Sequence, residues 1–125
     1  MKKKAIRGEG GSGKSSTAHK MKMIRAILRP DTAEEVAEGL AEAGYISMTK
    51  VSVFGRGNQK GITVGTIHYD ELPKTMILMV VEDTYVEDVL KLIHDMAYTG
   101  NFGDGKVFIT PVEEAYTIRT GAKGL

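Results

Sequence analysis

Apolar positions come in short blocks whose spacing changes along the chain, and the change of spacing predicts the elements. Met23 to Leu28 has little polar interruption and reads as a strand, ended by Pro30 and Asp31. Ala33, Val36, Ala37, Leu40 and Ala43 then recur at helical spacing. Thr32 and Glu35 ahead of them fit a capping box, and Gly44 supplies the stop. Met48 to Phe54 alternates, with Thr49, Val51 and Val53 on one face and Lys50 and Ser52 on the other, as a half-buried strand does. Thr75 to Val81 is apolar almost throughout, which predicts a central strand. Val86, Val89, Leu90, Ile93, Met96 and Ala97 trace one face of a second helix, with a capping box expected at Thr84 and Glu87. Val107 to Val112 is a fourth strand, and Ala115 to Arg119 a short further one.

Two glycine-rich stretches interrupt this pattern. Gly55 to Pro73 reads as a long functional loop, since structureless segments of that length are uncommon in compact domains without a task. Thr99 to Lys106 reads as a tight turn. The order strand, helix, strand, loop, strand, helix, strand predicts the α+β, ferredoxin-like arrangement: a four-stranded antiparallel sheet with two helices on one face. The opposite face would be bare, so an oligomer is expected.

Length allows a single core. Seventeen basic residues nearly balance sixteen acidic ones, for a net charge of +1, which gives no basic face for nucleic acid. The absence of cysteine excludes disulfides, thiolate nucleophiles and Cys-based metal sites, and fits a cytoplasmic protein. Met76 to Val81 is the longest apolar run, far below the ~20 residues that span a bilayer, and no secretory h-region follows the N-terminal lysines. The histidines (His19, His68 and His94) lack partners at ligand spacing, so they suggest no metal site.

Residues 1–20 stand apart, and Met21 reads as an older start. Gly8 to Ser15 satisfies the Walker A pattern letter by letter. That pattern binds phosphate when a strand enters the loop and a helix leaves it, and neither flank is convincing here. The expectation is a disordered extension, a cloned linker or a fusion remnant. The segment also resembles the opening of the nitrogenase iron protein, with Glu9 where that family usually has lysine.

Residues 21–125 resemble the PII family of nitrogen-signalling proteins. Met23 to Pro30 resembles the family's opening strand, and Leu40 to Gly44 the close of its first helix. Gly55-Arg56-Gly57 and Gln59-Lys60-Gly61 resemble the base of its T-loop (about 55–73), with Leu72-Pro73-Lys74 as the return. Thr99 to Phe108 is close to its B-loop signature (about 99–106), and Ile118 to Gly121 to its C-loop (about 117–125).

The resemblance implies a trimer, or a mixed assembly with a related subunit, binding ATP or ADP between subunits. It assigns Thr49, Gly55, Gly57, Gly100, Gly103, Asp104, Gly105 and Lys106 to the nucleotide, with Arg119 reaching over from a neighbouring chain. Glycines let backbone N–H groups approach phosphates closely, and a lysine adds a point charge. It assigns Gln59, Lys60, Gly61 and Lys74 to 2-oxoglutarate, with Gln59 also a ligand of Mg²⁺ held by ATP phosphates.

The T-loop is shorter than usual, and Tyr69 does not match the family's modified tyrosine. Thr117 stands where many members have a second C-loop arginine, and Leu78 where many have glutamate. The short T-loop resembles the nitrogenase-associated NifI-type subgroup. A contact regulator that inhibits nitrogenase at low 2-oxoglutarate is therefore expected, and not an enzyme. The alternatives are a regulator of an ammonium transporter or of glutamine synthetase, and, from another class, a P-loop nucleotidase.

Overall fold

The computed structural model describes residues 20–56, 62–64, 67–69 and 71–125. The Walker-like segment and the rest of the expected extension up to residue 19 lie outside the described residues, as do Gly57, Gln59, Lys60 and Gly61.

The elements are β1 (Met21–Leu28), α1 (Pro30–Glu42), β2 (Thr49–Gly55), β3 (Ile62–Val64), β4 (Ile67–Tyr69), β5 (Leu72–Glu82), α2 (Val86–Ala97) and β6 (Lys106–Val112). Four strands form one sheet in the order β2-β5-β1-β6, with every neighbouring pair antiparallel. The strand expected to be central, β5, is central. Alternation along it and β1 turns Ile24, Ala26, Leu28, Ile77, Met79 and Val81 toward the helices. There they meet Ala33, Val36 and Leu40 of α1 and Val86, Val89, Ile93 and Ala97 of α2, all buried. Each large side chain buried in this layer contributes roughly 1.5–3 kcal/mol.

Helix ends differ from the sequence reading. Pro30 is the first residue of α1, with Arg29 as its N-cap. Proline suits this position because its fixed φ is helical and its missing N–H has no partner to lose. No side chain caps the helix, so the Thr32 box does not form. At the other end Gly44, at φ 103°, closes a Schellman motif: its N–H donates to the Ala41 carbonyl and that of Tyr45 to the Leu40 carbonyl. The Thr84 box is absent too. Thr84 lies inside a single 3-10 turn, Asp83–Tyr85, which couples β5 directly to α2.

The segment between β2 and β5 is not structureless. It contains the two-stranded β3–β4 ladder, and β5 begins at Leu72, earlier than expected. Leu72, Pro73 and Lys74 extend beyond the last β1 pair, Leu28 with Thr75, and pair with β2 alone. Proline is tolerated near the start of such an overhang because one side of the strand has no ladder to join. The strand expected over Ala115 to Arg119 does not form. Tyr116 bridges Lys123, and the chain folds back between them through Gly121, at φ 73°.

Among the described residues, the second sheet face carries no helix. Register places Met23, Arg25 and Ile27 beside Val80, Leu78 and Met76, with Phe108 and Val51 flanking them. Phe108 is 47% exposed and Val51 38%.

Candidate functional site

Four strand ends meet at one end of the sheet: the C-termini of β1 and β2 and the N-termini of β5 and β6. The connection from α2 to β6 contacts this end. Its glycines have left-handed backbone, φ 87° at Gly100, 95° at Gly103 and 116° at Gly105. At Gly105 there is also no room: a Cβ would collide with the Ile27 carbonyl oxygen of β1. Only glycine meets both demands.

Asp104 organises the loop from inside. Its Oδ2 accepts the backbone N–H groups of Thr99, at 2.7 Å, and Gly100, at 2.9 Å. Its Oδ1 accepts the Thr99 hydroxyl and the Arg29 guanidinium, the latter at 2.9 Å. The Thr99 hydroxyl and N–H, then Arg29, hold the carboxyl well below the usual carboxylate range. With both oxygens occupied by donors of its own chain, this side chain sets the shape of the loop.

Two cations fix the backbone carbonyls. Arg29 Nη2 donates to the Phe102 carbonyl at 2.8 Å, and Lys74 Nζ to the Gly103 carbonyl at 3.2 Å. A third cation, Lys106, follows Gly105. Its register partner is Ile27, so its side chain leaves on the helix-free face, and its ammonium has no partner among the described residues. Arg29, Lys74 and Lys106 thus ring a glycine loop whose one carboxylate is already neutralised. Such a site favours an anion.

The other expected site residues fall as follows. Thr49 opens β2 on the helix-free face, opposite Leu78, and Gly55 closes β2 opposite Leu72. Arg119 is exposed in the C-terminal turn, and no hydrogen bond or ion pair among the described residues joins it to the glycine loop of its own chain. Gly57, Gln59, Lys60 and Gly61 lie outside the described residues. The structure adds Arg29, to which the sequence reading gave no role. A charge ending a strand before proline is unremarkable until its partner 75 residues away is seen. Among the described residues no group of His, Asp or Glu could hold a metal ion, and no helix is long and apolar enough to cross a membrane.

The family model described as "Nitrogen regulatory protein P-II" matches residues 21–122, which include every element of the sheet and both helices. The chain belongs to the P-II family. Its P-II relatives include a Methanosarcina barkeri protein named "Nitrogen fixation nifHD2 region GlnB-like protein 1", 67% identical over 105 residues, 84% of this chain and all of the relative. A protein of the same description with "nifHD region", from Methanobacterium ivanovii, is 59% identical over the same span. These place the chain in the nitrogenase-associated NifI-type subgroup of P-II proteins. The Azospirillum brasilense "Nitrogen regulatory protein P-II" is 45% identical over 83% of this chain and 96% of its own. Among solved structures, the Arabidopsis thaliana PII bound to citrate superposes with a TM-score of 0.71 at 30% identity, covering 86% of this chain and 89% of that one. P-II proteins are signalling proteins that assemble as trimers and bind ATP or ADP and 2-oxoglutarate. The glycine loop spans the segment that resembles the family's B-loop.

Proposed function

We propose that this chain is a cytoplasmic nitrogen sensor, not an enzyme. It binds ATP or ADP at the B-loop and reads 2-oxoglutarate through the T-loop. The observation that carries the reading is the B-loop itself: three left-handed glycines ringed by Arg29, Lys74 and Lys106, the last without a partner among the described residues. The helix-free apolar face supports a trimeric ring, of this chain or mixed with a related subunit. In that ring Thr49, Gly55 and Gly57 line the nucleotide cleft and Arg119 reaches the phosphates from the neighbouring chain.

Lys74, at the site's edge, supplies charge for a carboxylate of 2-oxoglutarate, with Gln59, Lys60 and Gly61 completing that subsite. Among the described residues the site offers no free carboxylate. A Mg²⁺ ion there would take its oxygen ligands from the phosphates, the keto acid and Gln59, and would supply a fixed cation for the keto acid to chelate. The nif-region relatives support nitrogenase as the target, contacted by the T-loop and inhibited at low 2-oxoglutarate. A ligand moves such an equilibrium only by its differential affinity for the two loop states.

The test is calorimetry on the full chain. ATP should bind, and Lys106→Ala should weaken it about ten- to a hundredfold, the loss of one charge-assisted hydrogen bond. 2-Oxoglutarate should bind with ATP and Mg²⁺, weakly with ATP and EDTA, and poorly to Lys74→Ala. Equal 2-oxoglutarate affinity in all conditions would place that ligand elsewhere. A pull-down from nitrogen-fixing cells with and without 2-oxoglutarate identifies the target; recovery of an ammonium transporter or glutamine synthetase instead would reject nitrogenase.

A further inference from the structure

Asp104 ties the first residues of the B-loop together from within, and its own N–H reaches the Asn101 carbonyl at 3.4 Å, while Phe102 at the tip is 73% exposed. What orients the tip is the Phe102 carbonyl, and the group that holds it is Arg29.

Arg29 is well placed for this. It lies between β1 and α1, and the proline after it confines its backbone to the extended region, where it has φ −60° and ψ 145°. Both flanking elements are anchored in the core, by Leu28 at 2% exposure and Ala33 at 0%. The guanidinium therefore starts from a fixed point. Its two terminal nitrogens reach two different acceptors, Asp104 Oδ1 at 2.9 Å and the Phe102 carbonyl at 2.8 Å. A planar fork can satisfy both at once, and an ammonium is a point charge without that geometry.

The consequence follows from the peptide bond. In a trans peptide the carbonyl and the next N–H point in opposite directions. With the Phe102 carbonyl turned in to Arg29, the Gly103 N–H is turned away from it. That N–H has no acceptor among the described residues. It is a donor left unused among the described residues, in the loop that leads to Lys106, and the Arg29 contact on the preceding carbonyl sets its direction.

We infer that Arg29 is a positioning residue for nucleotide binding: it fixes the Phe102–Gly103 peptide so that the Gly103 N–H is presented to phosphate before the nucleotide arrives. Arg29 need not touch the ligand, because it acts through the loop. The inference rests on the B-loop being the phosphate site. Without Arg29 the Phe102 carbonyl loses the contact that holds it, with only the neighbouring Gly103 carbonyl still held by Lys74, and binding must order the Phe102–Gly103 peptide.

The test compares the full-length native chain with Arg29→Met, Arg29→Lys and Asp104→Asn, by calorimetry with ATP and with ADP and by the Gly103 amide resonance in ligand-free protein. Arg29→Met should weaken ATP and ADP by the same factor, about tenfold, the cost of ordering one residue, since both need the same peptide. Its Gly103 resonance should shift and broaden, with a melting temperature close to native. Arg29→Lys should recover only part of the affinity. Asp104→Asn keeps an acceptor for the Thr99 and Gly100 N–H groups but loses the ion pair. It should weaken both nucleotides several-fold, and it decides the matter if Arg29→Met fails to fold. Native protein that binds ATP, with variants that bind it equally well, overturns the role given to Arg29 and leaves the B-loop reading standing. Native protein that binds neither nucleotide overturns the B-loop reading itself.

Discussion

Gly105 shows how much single residues can say about this site and where they stop. Three glycines and a lysine within seven positions mark a loop whose left-handed backbone an anion could approach closely, because that composition has few other physical uses. What no local pattern could reveal is why Gly105 cannot change: its neighbour is the Ile27 carbonyl, a contact between distant parts of the chain. The same holds for Arg29 and for Lys74 on the Gly103 carbonyl. Gly105→Ala meets both a left-handed φ, a penalty of roughly 1–3 kcal/mol, and a backbone atom that cannot swing aside. Native-state hydrogen exchange should show the B-loop and the end of β1 losing protection together, and calorimetry should show ATP binding lost. A variant that binds ATP normally would mean that the loop relaxes without cost.

At the scale of elements, the helices were readable because burial imposes a 3.6-residue period, and Val36, Leu40, Val89 and Ile93 occupy the faces expected. Their N-termini were not. Thr32 and Thr84 match the letters of a capping box, but α1 starts at Pro30, ahead of Thr32, and Thr84 lies inside the 3-10 turn before α2, so neither threonine stands at an N-cap. The β3–β4 ladder was missed because each strand spans only three residues, too short for period-two alternation to rise above chance. One contact between elements has a pH signature. Tyr45, just past α1, donates its hydroxyl to Asp88 of α2 at 2.7 Å, and its ring meets Tyr85 edge-on. Burial, then the Asp88 carboxylate, pushes the phenol up to about 12. The folded state thus favours the neutral phenol. Its contribution is complete below the ordinary tyrosine value of about 10 and is lost as pH rises toward 12. Denaturant midpoints measured from pH 8 to 12 should fall less steeply for Tyr45→Phe than for the native chain. Parallel curves would show that the hydroxyl is not linked to folding.

For the whole molecule, strand order and the one-sided placement of helices followed from the sequence of elements, since a split βαβ pattern admits few topologies. The expected bare face is present and largely apolar, with Met23, Val80, Leu78 and Met76 around Arg25. If the ring forms there, a charge at its centre cannot be accommodated between subunits without a partner. Val80→Lys, which adds a like charge diagonal to Arg25, should give a monomer by light scattering with the native far-UV spectrum; an intact trimer would move the interface elsewhere. The overhang of β5 has a mechanical meaning as well. Leu72, Pro73 and Lys74 project past the end of β1, braced by β2 alone, so the sheet ends as a cantilever about 10 Å long. Lys74 sits at its root, tethered to the Gly103 carbonyl. A beam is most sensitive where it is clamped: a small tilt at Lys74, whether the tether is tightened or let go, becomes a larger sweep at the free tip. If the loop binds phosphate as proposed, tightening or releasing that tether would tilt the overhang, over a reach set by the length of two strands.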